Sequence, residues 1–185
     1  MEKEKEVIDL LEEILTAEQI TLLRDMGYFE VPASTKRHLS VQGGLAQHSL
    51  NVTRKMLKLD EAMNYGVQRS WILMMGLLHD IVKLSYGYEA NMLKNGTQSE
   101  SIPYKANVKF DMGHGAGSTY LIINDIGLTL PVQVASAINL HMGFEFPKDN
   151  YTIETLKQNP MDMICVLLLQ HADQIATWID EVEFK

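Results

Sequence analysis

Thiols are almost absent from this chain. Its single cysteine, Cys165, can form neither an internal disulfide nor a cysteine-based zinc cluster, so any metal must be held by histidine and carboxylate. Long apolar runs are also missing. The stretch Ile164 to Leu169 falls far short of the roughly 18–20 residues that span a bilayer, and the acidic, lysine-containing N-terminus has no signal-peptide apolar region. A cytoplasmic location is the expectation. Basic clusters are scarce: none exceeds Lys36-Arg37, and 24 acidic against 16 basic residues give a net charge of −8. That balance argues against broad non-specific binding to duplex DNA, and it would repel a phosphorylated substrate unless something local reverses it.

What remains is ordinary globular material. Hydrophobic residues at 46% and charged residues at 22% exclude a disordered, collagenous or coiled-coil chain. At 185 residues the chain fits one domain, taken as 1–185.

The periodicity is mostly helical. Val7, Ile8, Leu10, Leu11, Ile14 and Leu15 recur at helical spacing, and Thr16 with Gln19 offers a capping box for a second segment through Leu23. These form an N-terminal helical region over 1–31, with Gly27 and Pro32 bracketing a loop. A third helix is expected from Leu45 to about Leu59, and a fourth, apolar on most of its circumference, through Trp71 to Val82. Residues 84–110 differ: Tyr86, Tyr88, Ala90 and Met92 alternate with polar or small residues, Asn95-Gly96 signals a turn, and Ile102, Tyr104, Ala106, Val108 and Phe110 alternate again. The pattern predicts an inserted β-hairpin whose second strand Pro103 restricts to an edge. Three helices should follow, over Gly117–Ile126, from Thr129-Pro131 to Gly143, and from Asn159-Pro160 through Ile179, with a polar, irregular loop from Phe144 to Asn159. No repeat or inter-domain linker interrupts them.

Attention then falls on His48, His79, Asp80, His114, His141 and Asp173. Each sits near a helix terminus or inside an apolar pattern, where an unpaired imidazole or carboxylate is costly to bury. Singly, each histidine reads as a hydrogen-bonded core residue. The pair His79-Asp80 is harder to dismiss. Neighbours on a helix diverge by about 100°, so both can grip one metal only at a relaxed helix end. Aspartate has two oxygens and can join two cations, one on each.

The motifs around these residues resemble the HD-domain superfamily of metal-dependent phosphohydrolases. The resemblance rests on Gly43-Gly44-Leu45-Ala46-Gln47-His48-Ser49-Leu50, Gly76-Leu77-Leu78-His79-Asp80-Ile81-Val82-Lys83, His114-Gly115, His141-Met142-Gly143 and His171-Ala172-Asp173, in that order between Pro32 and Glu183. The insert followed by Met112-Gly113-His114-Gly115 is similar to a subgroup of small bacterial and phage HD proteins. The resemblance implies an all-α HD fold, here with the inserted hairpin. It also implies that His48, His79, Asp80 and Asp173 hold one metal, that Asp80 bridges to a second, and that His114 and His141 belong to the dinuclear arrangement. Met142 stands where many dinuclear members have another histidine, which implies a second ion loosely held or completed by water. Val82 replaces a usual glycine. His171, about 200° round a helix from Asp173, should point away.

Lys83 lies three residues after Asp80 and four after His79, on the same helical face. It is either a phosphate contact that stabilises transition-state charge or a solvated helix-end lysine favoured by the dipole; the resemblance tips the balance to the first. Asp80 and Lys83 are the candidate catalytic residues. Lys36, Arg37, His38 and Arg54 either line a substrate entrance or are ordinary surface charge. Tyr86, Tyr88, Tyr104 and Phe110 either wall a nucleobase site or pack the hairpin onto the helices.

Imidazole and carboxylate donors suit Fe, Mn, Zn or Co better than Mg. Two dications against Asp80 and Asp173 leave about two positive charges, a local field that overrides the distant −8 beyond the roughly 8–10 Å screening length. The expected chemistry is attack on phosphorus by a hydroxide that the metals generate, on a small phosphorylated substrate such as a nucleotide. Two rivals are a mixed-valent di-iron oxygenase of the same fold and a nucleotide-binding regulatory module with a vestigial centre.

Overall fold

The computed structural model describes residues 2–108, 112–143 and 151–181, with only the backbone of 151–153. Phe110, residues 144–150 and Glu183 therefore lie outside the described residues.

Helix α1 (Glu2–Leu11) buries Val7 and Leu11, one turn apart on one face, and carries Glu2 and Glu4 in its first turn, where the helix dipole favours them. Helix α2 (Ala17–Asp25) opens with the expected capping box: the Thr16 hydroxyl accepts from Gln19 N at 3.3 Å and the Gln19 side chain accepts from Thr16 N at 2.9 Å. Helix α3 (Gly44–Met63) is longer than its apolar pattern suggested, ending where Asn64 turns left-handed. Helix α4 (Arg69–Leu78) is shorter than expected. It stops before the His-Asp pair, and a 3₁₀ turn (Ile81–Ser85) carries the rest of the predicted helix.

The insert contains a hairpin, much reduced. Strands β1 (Glu89–Ala90) and β2 (Tyr104–Lys105) pair antiparallel, Glu89 opposite Lys105 and Ala90 opposite Tyr104, with a further isolated bridge between Met92 and Gln98. The Asn95-Gly96 turn forms as expected, Gly96 taking φ 83° and the Asn95 side chain accepting from Thr97 N at 3.1 Å. The ladder is short for two reasons. Pro103 has no N–H to donate, and the apolar residues that alternate, Met92, Ile102 and Val108, are exposed, so no buried face holds an extended register.

Helices α5 (His114–Asn124) and α6 (Val132–Leu140) follow, each ending short of the predicted stop. Helix α7 (Tyr151–Gln158) corrects the expectation of an irregular loop up to Asn159. Its composition is polar, and among its described side chains Leu156 is the one it buries, too little apolar patterning to register as a helix. Helix α8 (Pro160–Ile175) starts as expected, with Asn159 accepting from Met161 N and Pro160 in the first turn, then widens into a π turn over Ala176–Asp180.

Helix α3 packs against α4 and α8, and α6 packs against α8 and α5, around one core that includes Leu50, Met56, Leu73, Leu77, Ile138 and Leu169. Tyr28 enters that core fully buried, its hydroxyl donating to the Leu77 carbonyl at 2.7 Å, which satisfies the one polar atom it brings. Among the described residues no helix is long and apolar enough to cross a membrane. The all-α expectation with a small antiparallel hairpin is met.

Candidate metal centre

The end of α4 places the central pair. His79 caps the helix, and Asp80 leaves helical geometry at φ −115°, ψ 15°, so two neighbours that would diverge on a regular helix turn their side chains to the same place. The 3₁₀ turn has three residues per turn, which stacks Lys83 over Asp80 with Nζ 2.5 Å from Oδ2. Lys83 is buried, so the solvated-lysine reading fails.

Asp80 has two differently occupied sides. Its Oδ2 faces His79 Nε2 at 3.6 Å and His48 Nε2 at 3.9 Å, and His48 Nε2 also lies 3.1 Å from Asp173 Oδ1. Its Oδ1 faces His114 Nδ1 and His141 Nε2, each at 3.5 Å. All six predicted site residues thus converge. The convergence of α5 and α6 depends on Gly115: a Cβ there would stand 2.2 Å from the Asn139 carbonyl oxygen, so only glycine lets the start of α5, with His114, close on the end of α6, with His141.

The other edges of the rings are fixed. His79 Nδ1 donates to the Gly76 carbonyl at 3.0 Å and His141 Nδ1 to the Ile138 carbonyl at 2.7 Å. Each bond leaves the neutral ring's Nε2 as a lone pair directed at Asp80. Those two Nε2 atoms, Asp80 Oδ1 and His114 Nδ1 are buried without a hydrogen-bond partner among the described residues. An unsatisfied buried polar atom costs about 1–3 kcal/mol, so four around one carboxylate are poor packing material and a good donor set for a cation. His48, His79 and Asp80, and likewise His79, His141 and Asp173, bring ligand atoms within 4.8 Å of one another. The donors fit a divalent metal.

The electrostatics separate the imidazoles. Burial disfavours charge on His48, but bonds to Asp173 and Glu181 outweigh it and hold the pKa up at about 9. Burial pushes His79 down to about 4, since the attraction of Asp80 does not offset it. Burial works against the Asp80 carboxylate too, yet the charge of Lys83, with the histidines, holds it well below its ordinary range. Asp173 is likewise held low despite burial, chiefly by His48. The hydrogen bond from His48, with the charges of His79 and His48, is what favours the Asp173 carboxylate against burial.

Two residues escaped sequence reasoning. Glu181 binds His48 Nδ1 at 3.0 Å and accepts from Asn51 Nδ2 at 2.8 Å, a carboxylate brace behind the ring. It arrives by way of the π turn, which no periodicity in the sequence signals. Thr177, on the same turn, donates to Asp173 Oδ1 at 3.2 Å. Of the residues proposed for the entrance, Arg37 and His38 line the cavity over the centre. Lys36 is exposed outside it, and Arg54 is paired with Glu6 on α1. The cavity measures about 500 Å³ and is also walled by Tyr86, Tyr88, Trp178 and Met142. Tyr86 is buried and stands edge-on to His114 at 5.6 Å, so it both packs and lines. Tyr104 is not among the lining residues, and His171 is exposed in an apolar groove with Leu59, Met63 and Tyr65, away from the cavity.

Fold and site together define a helical protein with a buried His/Asp centre at the floor of an open cavity. The profile of the HD domain matches residues 45–178, and the chain belongs to the HD-domain family. Over 160 residues it is 34% identical to the dihydroneopterin 2',3'-cyclic phosphate phosphodiesterase of Methanocaldococcus jannaschii, an alignment that covers 84% of this chain and 55% of that protein. The chain therefore spans about half the length of that curated relative. No solved structure matches it.

Proposed function

We propose that this chain is a metal-dependent phosphohydrolase that cleaves a phosphoester of a small substrate, a nucleotide or a related cyclic phosphodiester of the kind its archaeal relative is named for. The observation that carries the reading is the division of Asp80, one oxygen toward His48 and His79, the other toward His114 and His141, at the floor of a cavity that holds a buried lysine. In this reading His48, His79, Asp80 and Asp173 hold one ion and Asp80, His114 and His141 a second, within a single domain over 1–185. Fe, Mn, Zn or Co suits these donors before Mg.

Bound cations would polarise the phosphoryl group and lower the pKa of water at the site. The chain's own residues do the rest. Lys83 brings a fixed positive charge beside Asp80, close enough to meet the non-bridging oxygens of an anion in the cavity. Carbonyls of Gly76 and Ile138 keep His79 and His141 in the tautomer that presents Nε2 inward. Glu181 takes one positive charge from the balance drawn on the aspartates alone, and Lys83 returns it, so a net positive field remains for a small anion.

The test loads purified protein separately with each metal and offers phosphomonoesters, linear phosphodiesters, 2',3'-cyclic phosphodiesters and nucleotides. Hydrolysis of at least one class is expected, falling by at least about 100-fold in Asp80→Ala. Undiminished hydrolysis in that variant overturns the reading, and O₂ consumption by the iron form without phosphoester cleavage replaces it with oxidative chemistry.

A further inference from the structure

The ring nitrogens of His38 have no hydrogen-bond partner among the described residues, and the centre described above gives them no task. It sits on the segment between Ala33 and Ser40, which has no regular secondary structure yet is closely tied. The Ser34 hydroxyl donates to the His38 carbonyl at 2.8 Å and accepts from Arg37 N at 2.9 Å, and the Ser40 hydroxyl donates to the Arg37 carbonyl at 3.0 Å. Ala33 N donates to the Leu39 carbonyl at 3.1 Å, and Tyr104 N, from the insert, donates to Thr35 O at 3.2 Å. Leu39, next to the histidine, is held at φ 44°, a conformation that a branched side chain enters only when its surroundings impose it. The loop also presses on α3: a Cβ on Gly44 would stand 2.1 Å from the Leu39 carbonyl oxygen. These contacts hold the backbone of His38 in one position.

That position is in the cavity wall, with the imidazole 5.0 Å from the His48 ring and Lys83, Asp80 and Asp173 lining the same space. Both ring nitrogens of His38 are buried, and neither has a hydrogen-bond partner among the described residues. A neutral imidazole carries one N–H donor and one acceptor, so two missing bonds are a cost that a rigid loop has no reason to maintain without a ligand.

A metal is one conceivable ligand, since His38, His48 and Glu181 bring ligand atoms within 4.8 Å. The bonding argues against it. His48 turns Nε2 to Asp173, and its Nδ1 is already bound to Glu181, whose carboxylate also accepts from Asn51. A cation beside His38 would have to break that brace.

We propose that His38 is a substrate-binding residue, its ring N–H donating to an oxygen of the phosphoryl group or ester linkage of an anion seated over the centre. This rests on the phosphohydrolase reading for its ligand class. It adds a contact outside the metal donors, on a loop tied both to α3 and to the insert.

Inorganic phosphate serves as the probe, titrated calorimetrically into metal-loaded protein freed of excess metal, for the wild type, His38→Ala and His38→Gln. Metal content should be equal in all three. Phosphate should bind the wild type, about 10–100-fold more weakly in His38→Ala, with part of the loss recovered in His38→Gln, which keeps a donor. A loss of metal in both variants would make His38 a ligand and overturn the proposal, as would phosphate affinity unchanged by either. Should a variant fold poorly, the wild type decides: the ring-nitrogen resonances of His38 must move when phosphate is added. Phosphate binding that depends on His38 in a protein that hydrolyses no phosphoester would sink the reaction and leave this site standing. No phosphate binding to the wild type would end both.

Discussion

The two sides of Asp80 are built differently. On the Oδ2 side each candidate metal ligand beside Asp80 is braced: His48 by Glu181, which Asn51 holds in turn, His79 by the Gly76 carbonyl and Asp173 by Thr177. On the Oδ1 side His141 is anchored to the Ile138 carbonyl, but the His114 side chain is 35% exposed, and Met142, which follows His141 in the chain, is exposed as well. Ligands held by second bonds give up less entropy on binding a cation, so the braced side should bind first and release last. On the proposed two-ion reading, this contrast predicts one resident ion and one exchangeable ion.

The sharpest way to break this comparison is to remove one ring from each side. His48→Ala should lose both ions and all hydrolysis, whereas His114→Ala should keep about one equivalent of metal, read by elemental analysis after dialysis. Equal losses would abolish the distinction. Next in size, Glu181→Gln should weaken metal affinity by about 10–100-fold while leaving the number of sites unchanged, because only the brace behind His48 is altered. A smaller effect comes from protons. With His48 raised to about 9 and His79 lowered to about 4, uptake at the braced side near pH 7 must displace a proton from His48, so its apparent affinity should fall about tenfold per pH unit between pH 8 and 7. In chelated protein the sign is opposite for folding. The raised pKa stabilises the folded state below its ordinary 6.5, and this is lost as pH rises through about 9, visible as a falling melting temperature. The smallest effect belongs to His171→Ala. It should change neither metal content nor rate and alter stability by no more than about 0.5 kcal/mol.

Much of the centre was legible because it rests on short motifs in a fixed order. The His79-Asp80 pair after an apolar run stands out locally, whereas Lys83 one turn on and the histidines at the ends of α5 and α6 gained their meaning from the order of the motifs that resemble the family. The expected need for a relaxed helix end at Asp80 is met by its departure from helical geometry. Glu181 was illegible for a physical reason: it lies 133 positions from His48 and reaches it only through a π turn whose widened pitch shifts the face that follows. His38 gave half a signal. Its charge-rich neighbourhood suggested an entrance, but Lys36 and Arg54 in the same set point elsewhere, and only the tied loop separates them. In the insert, alternation predicted more strand than exists, because alternation implies a sheet only where one face is buried.

The sequence by itself determined the helical class and the caps at Thr16 and Asn159, since each depends on residue type and near neighbours, and through its resemblance to a family it singled out six candidate donors. Only the tertiary structure decided which oxygen of Asp80 meets which histidines, which rings are braced from behind, and that a loop histidine joins them over the cavity. Those are contacts between helices far apart in the chain, and their geometry is set by packing: a glycine that lets α5 reach α6, a carboxylate delivered by a π turn, a backbone carbonyl pressed against the start of α3.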